Sequence, residues 1–171
     1  MNHFFNERIV FNTIEEEGHL AQIEEILKGG GVSLVFIETP TNPLLKVFDI
    51  RGIVELVSKH KNEKGLPRLV VDSTFCTPLY QNPVALGADA ALHSATKFLS
   101  GHSDCCAGVI CTNDKDLHSS LTHARSMAGN HLGESPSQLL FEGLQTLKLR
   151  VSAQKKNAIA VAEYLRSHSK I

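Results

Sequence analysis

Apolar positions along the chain alternate between helical and strand periods. Leu20, Ile23, Ile26 and Leu27 recur at helical spacing and stop at Gly29-Gly30-Gly31, a run that ends a helix. Ser33-Leu34-Val35-Phe36-Ile37 then reads as a strand reaching Glu38, followed by a second helical stripe, Ile50, Ile53, Val54 and Val57, closed near Gly65-Leu66-Pro67. Arg68-Leu69-Val70-Val71 predicts a buried strand that starts at a turn, and a short helix is predicted near 83–87. Strands over 90–93 and 108–111 follow. From Asp114 the pattern is mainly helical, with breaks at Gly129 and Gly133-Glu134-Ser135-Pro136, and one long helix is expected over 151–171. Strands alternating with helices imply an α/β fold, a mostly parallel sheet flanked by helices.

Composition narrows the class. The 171 residues have a formal net charge of −1, with both signs interspersed and no basic stripe to attract nucleic acid or an anionic membrane surface. No apolar run approaches the roughly 20 residues needed to span a bilayer, and Met1 to Arg8 lacks the continuous apolar stretch of a secretory signal. The expected compartment is the cytoplasm, or a plastid if a targeting peptide precedes this segment. Cys76, Cys105, Cys106 and Cys111 form no C-x-x-C pair and are expected to be reduced, partly buried small residues. The nine histidines lack metal-binding i, i+4 pairing, so no metal is expected.

The chemistry concentrates in Ser94-Ala95-Thr96-Lys97-Phe98-Leu99-Ser100-Gly101-His102-Ser103-Asp104. Lys97 follows a buried strand, with two hydroxyl residues before it and a small-residue turn after it. Such a lysine can form an imine with a carbonyl cofactor while Ser94 and Thr96 bind its phosphate. A solvated lysine after a strand is the bland alternative. Asp72 changes the balance. It ends the preceding strand of the same β-α-β unit, so both side chains emerge at carboxyl ends of parallel strands, where open α/β sheets bind ligands. A carboxylate there keeps a pyridinium nitrogen protonated. Glu38-Thr39-Pro40-Thr41-Asn42-Pro43 leaves the strand before, and Pro43 biases Asn42 towards extended backbone. The Asn42 amide could donate to a phenolate oxygen on the same ring.

These segments resemble the Cys/Met-metabolism (trans-sulfuration) family of PLP-dependent enzymes, part of the aspartate-aminotransferase-like fold (type I). The matching runs are Glu38 to Pro43, Val70 to Phe75 and His93 to Asp104, with a looser match over Glu142 to Arg150. The resemblance implies pyridoxal 5'-phosphate bound covalently by Lys97, Asp72 at the pyridine nitrogen, Ser94 and Thr96 at the phosphate, and Asn42 at the phenolic oxygen. Residues 1–150 would be part of the large cofactor-binding domain, and 151–171 a helix leading towards a small carboxy-terminal domain. The run from Asp72 through Ala107 is most similar to plant-type cystathionine γ-synthases, which implies γ-replacement of an O-acyl-homoserine by cysteine. Cystathionine γ- and β-lyases and methionine γ-lyases share most of the same residues and remain alternatives, as does a catalytically inactive remnant or interaction module. The full-length parent would be a homotetramer.

Three departures stand out. Lys61 to Pro67 exceeds the usual connection, and Glu142 and Gln145 occupy positions where the family commonly has Arg and Lys. Family members are also considerably longer. The resemblance implies that a glycine-containing phosphate loop and a ring-stacking tyrosine lie in an amino-terminal part, and a carboxylate-clamping arginine in a carboxy-terminal part. No residue here is assigned to those roles, and the isolated segment is expected to be inactive.

Overall fold

The computed structural model describes Ile14 and residues 17–171. The stretch inspected for a secretory signal, Met1 to Arg8, lies outside them. The elements run α1 (His19–Lys28), β1 (Leu34–Glu38), α2 (Ile50–Lys59), β2 (Arg68–Asp72), α3 (Thr77–Tyr80), β3 (Ala90–Ser94), β4 (Gly108–Cys111), α4 (Lys115–Ala128), α5 (Glu134–Gln145) and α6 (Leu147–Arg166). The four strands form one sheet in sequence order. The first three are parallel, with Glu38 opposite Asp72 and Asp72 opposite Leu92. β4 runs antiparallel to β3, pairing Ser94 with Gly108. The expectation of a mostly parallel sheet therefore holds for three strands. A parallel return needs a crossover, usually a helix; the link from β3 to β4 is instead a turn that folds back on itself.

Alternation along β2 sorts its side chains. Leu69 and Val71 are buried on one face, while Arg68, Val70 and Asp72 lie on the other. Ile23 and Leu27 of α1 and Ile50, Ile53, Leu56 and Val57 of α2 close over the Leu69–Val71 face. Ile53 and Val71 are fully sequestered, and burying such a side chain stabilises by about 1.5–3 kcal/mol. Ile26, read as part of the α1 stripe, is exposed instead. Asp89 secures the start of β2, accepting from the Leu69 amide and from Lys61 Nζ, each at 2.7 Å. Across from it, Arg68 reaches the α4 cap Asp114 at 2.7 Å.

The predicted helix near 83–87 is a run of turns. Leu86 N donates to Pro83 O and Gly87 N to Val84 O, and Gly87 turns the chain at φ 107° before a helix can propagate. The helical turn sits earlier, at Thr77–Tyr80, with Pro78 in its first turn, where the missing N–H costs nothing. The last helix begins at Leu147 rather than Val151 and ends at Arg166. Its first residues join a second apolar cluster, Ala95 and Leu99 against Leu147 and Val151, which seats the β3–β4 turn on α6. No described helix is long and apolar enough to cross a membrane.

Candidate active site

Asp72 stands at the carboxyl end of β2 and is oriented from one side. Thr74 donates to its Oδ1 twice, from the hydroxyl at 2.6 Å and the amide at 2.9 Å. The same hydroxyl accepts from the Ser94 amide at 2.8 Å, so Thr74 couples the ends of β2 and β3 and fixes the carboxylate between them. Oδ2 takes no hydrogen bond from any described residue.

The next turn carries the lysine. Thr96 is tied to Ala107, the residue just before β4, by three bonds: its amide donates to Ala107 O at 3.2 Å, its hydroxyl donates to the same oxygen at 3.3 Å, and the Ala107 amide donates back to the hydroxyl at 3.0 Å. Lys97 N donates to Ser94 O, Ser100 N to Ala95 O and Gly101 N to Lys97 O, closing a tight turn. Ser100 is fully buried and donates to Asp104 at 3.0 Å. The Lys97 amine is exposed and has no hydrogen-bond or ionic partner among the described residues.

Asn42 arrives from the segment after β1. Thr39, itself buried, accepts from the Phe48 amide at 3.0 Å, and Thr41 from the Lys46 amide at 3.0 Å. Thr39 N donates to Asp72 O. These bonds fold 39–48 into a loop standing over the end of β2.

All five residues singled out in the sequence line one cavity of about 560 Å³: Asn42, Asp72, Ser94, Thr96 and Lys97. Glu38, Thr74, Phe75, Phe98 and Gln154 also line it. The rings of Phe75 and Phe98 lie 6.5 Å apart and form an apolar wall. Sequence reasoning assigned no role to Thr74, although its place two residues after an aspartate is where a hydroxyl can reach back to that carboxylate. Gln154 carried no signal, because α6 meets the lysine turn only through tertiary packing. The Thr96 hydroxyl proton is directed at Ala107 O, whereas the Ser94 hydroxyl makes no bond among the described residues and is the freer donor.

His93 points the other way, into the buried side of β3. It is 4 % exposed, and its Nδ1 has no partner among the described residues. Burial lowers its pKa below the ordinary value, against the opposing charge of Asp72 and a hydrogen bond with the Ser73 backbone. The net shift favours the neutral ring. Cys105 is buried and Cys76 partly so, but Cys106 and Cys111 are exposed, which corrects the expectation for that pair; all four are free thiols. No described group of three His, Cys, Asp or Glu side chains is placed to hold a metal.

An amine, a carboxylate and a free hydroxyl thus meet at the carboxyl edge of parallel strands, and together they have the chemistry that a phosphorylated carbonyl cofactor requires. The comparisons name the class. The family model for Cys/Met metabolism PLP-dependent enzymes matches residues 1–171, and the chain belongs to that family. A cystathionine gamma-lyase of Dictyostelium discoideum is 45% identical over 142 residues, 81% of this chain and 34% of its own length. A cystathionine gamma-synthase of Mycobacterium leprae is 42% identical over 138 residues, again 81% of this chain and 34% of the relative. Among solved structures, an apo methionine gamma lyase from Micromonospora echinospora superposes with a TM-score of 0.84 at 37% identity, covering 95% of this chain and 42% of that one. The chain thus spans about a third of the length of these two curated relatives, and its fold is that of the type I PLP enzymes.

Proposed function

We propose that this chain forms the cofactor-binding centre of a trans-sulfuration enzyme acting on sulfur-containing amino acids. The observation that carries this reading is the convergence of the Lys97 amine, the free Oδ2 of Asp72 and the Ser94 hydroxyl on one cavity. These groups suit pyridoxal phosphate: an amine with no competing partner, a carboxylate already fixed at its other oxygen, and a donor for a phosphate oxygen. Lys97 would hold the cofactor's aldehyde carbon, and Asp72 would keep the ring nitrogen protonated. Ser94 would donate to the phosphate, with Thr96 holding the turn and accepting or donating alongside it. Asn42 would donate to the phenolic oxygen. The bound cofactor supplies an electron sink for negative charge at the substrate Cα. The Lys97 amine is the base that would take that proton and return it.

Within this class we favour γ-replacement of an O-acyl-homoserine by the cysteine thiol, giving cystathionine. Elimination from cystathionine is the second reading, because the relatives named above include both a lyase and a synthase at similar identity. The choice turns on groups that hold the substrate carboxylate and side chain, and none is assigned among these residues. For the same reason the segment alone is expected to give no turnover, since misplacing reacting groups by ~1 Å can cost on the order of 10²-fold in rate.

Treating the chain with pyridoxal phosphate and borohydride, then mapping peptides by mass spectrometry, tests the cofactor assignment. The label is expected on Lys97 and should vanish in Lys97→Ala; a label concentrated on another lysine would refute it. Offering the full-length parent an O-acyl-homoserine with cysteine, and separately cystathionine, decides between replacement and elimination.

A further inference from the structure

The turn that carries Lys97 is gripped from behind by one guanidinium. Arg150, in the first turn of α6, donates from Nη1 to Phe98 O at 2.9 Å. Its Nη2 donates to Leu99 O at 3.3 Å and to Gly143 O at 2.7 Å, and Nε donates to Thr146 Oγ1 at 3.0 Å. A guanidinium has five N–H donors in a rigid plane, and here they span α5, α6 and the two carbonyls that follow Lys97. Phe98 O and Leu99 O receive no other hydrogen bond among the described residues.

The surrounding sequence leaves room for this grip. A Cβ on Gly101 would lie 2.0 Å from Arg150 Nη1, and one on Gly143 would lie 2.2 Å from Ser100 O. Both glycines permit contacts that any side chain would block, one where the guanidinium meets the turn and one where α5 meets it. Leu99 and Ala95 pack beneath on Leu147 and Val151, so polar and apolar contacts hold the same few residues.

We propose that Arg150 is a positioning residue for Lys97, acting through the Phe98 and Leu99 carbonyls. This rests on Lys97 being the cofactor lysine. The Lys97 side chain has no hydrogen-bonding partner among the described residues, so only the backbone fixes where it leaves the chain and hence which volume its amine can sample. That backbone is closed by Gly101 N on Lys97 O and fixed in space by the peptide planes that Arg150 holds. Without the guanidinium two carbonyls lose their partner, the turn rearranges to hydrate them, and the amine spends less time facing the cavity shared with Asp72.

The test reads where the cofactor attaches, not turnover. The chain is exposed to limiting pyridoxal phosphate; the Lys97 amine condenses with the aldehyde, releasing water, and borohydride delivers hydride to the C=N carbon, leaving a stable secondary amine. Peptide mapping gives the label on Lys97 relative to Lys64, an exposed lysine that does not line the cavity. Arg150→Gln should lower that ratio about tenfold, while hydrogen exchange of the β2 and β3 amides stays as in the unaltered chain. An unchanged ratio in a variant with intact exchange protection overturns the role of Arg150 and leaves the cofactor reading standing. No preference for Lys97 in the unaltered chain overturns both. Should Arg150→Gln lose protection across the sheet, Thr146→Val decides: it removes the Nε acceptor together with that hydroxyl's own 3.4 Å bond to Gly143 O, and should lower the ratio about threefold with the sheet protected, and no change there overturns the proposal.

Discussion

Gly143→Ala pits two opposing effects against each other at one buried position. In an exposed helix interior the substitution stabilises by about 1 kcal/mol, because alanine loses less backbone freedom than glycine. Gly143 lies within α5 and is buried, and its added Cβ would fall 2.2 Å from Ser100 O and 2.9 Å from Ser100 C and Cα. All three are backbone atoms of a residue with no exposure, so no side chain can swing aside. Restoring ordinary contact requires α5 and the lysine turn to separate by about 1 Å, and overpacking of this kind costs roughly 1–3 kcal/mol. The same separation stretches the bonds by which Arg150 bridges Gly143 O and Leu99 O, and charged hydrogen bonds contribute about 1.5–3 kcal/mol each. The steric and polar terms exceed the propensity gain, giving a net loss of about 2–4 kcal/mol. With a urea slope near 2 kcal/mol/M, the unfolding midpoint should fall by about 1–2 M. Gly133→Ala is the control: its nearest contact would be 3.7 Å from a Pro136 carbon at ordinary φ, and it should stay within about 0.5 kcal/mol. A Gly143→Ala midpoint equal to or above that of the unaltered chain would refute the close approach of α5 to the turn.

Two further perturbations probe the site from its other side. Thr74→Val removes the hydroxyl shared by Asp72 and the Ser94 amide, leaving a backbone donor unpaired, and should cost about 1–3 kcal/mol in urea unfolding; Thr74→Ser should recover most of it, and a Val variant as stable as the parent would show that the bridge does not couple the strands. His93 tests a sign: its pKa is lowered on folding, so protons bind the unfolded chain more readily, and its contribution is full above the ordinary histidine value of ~6.5 and lost as pH falls through it. Asp72 opposes that shift, so Asp72→Asn should steepen the acid-side decline, and a stability that rises on acidification through this window would contradict the burial of a neutral ring.

Much of this fold is legible in the sequence, because its core is built by periodic elements. The stripes Ile23–Leu27 and Ile50–Val57 and the alternate positions Leu69 and Val71 of the apolar run on β2 each encode a face, and packing joins those faces. What escapes is whatever depends on contacts remote in sequence or on competition over one turn of chain. The helical turn moves to Thr77–Tyr80 because Pro78 suits its first turn, while Gly87 breaks the predicted one. The reversal of β4 follows from how the lysine turn seats on α6, which no strand pattern encodes. Cys106 and Cys111 are exposed because their positions on the turn and on β4 have no layer over them, something residue type alone does not reveal. The membership of the cavity was legible for a different reason: strand ends and turn residues are local, and three parallel strands bring their carboxyl ends to one edge. Gln154 in the cavity wall and the contacts of Arg150 behind the turn were not, since both come from α6 and reach the turn across about fifty residues of chain.

The hydrogen bonds around the cavity divide its polar groups into two sets. Asp72 Oδ1, the Thr74 hydroxyl, the Thr96 hydroxyl and the carbonyls after Lys97 are all engaged. Asp72 Oδ2, the Ser94 hydroxyl, the Asn42 amide and the Lys97 amine have no partner among the described residues. Leaving polar groups unpaired in a dry interior would cost several kcal/mol each, but Lys97 and Asn42 are exposed and the others half-exposed, so water satisfies them at little cost. The engaged set makes the geometry rigid and the free set makes it reactive. A ligand that displaces that water must offer a carbonyl carbon to the amine, a protonated nitrogen to the carboxylate and anionic oxygens to the hydroxyl. Few small molecules carry all three on one ring, and pyridoxal phosphate does. On the proposed assignment, specificity for the cofactor would come from the free groups, while selectivity for Lys97 over other lysines would come from the bonded ones. A variant such as Thr74→Val or Arg150→Gln should accordingly lose selectivity of attachment before it loses the capacity to react with an aldehyde at all.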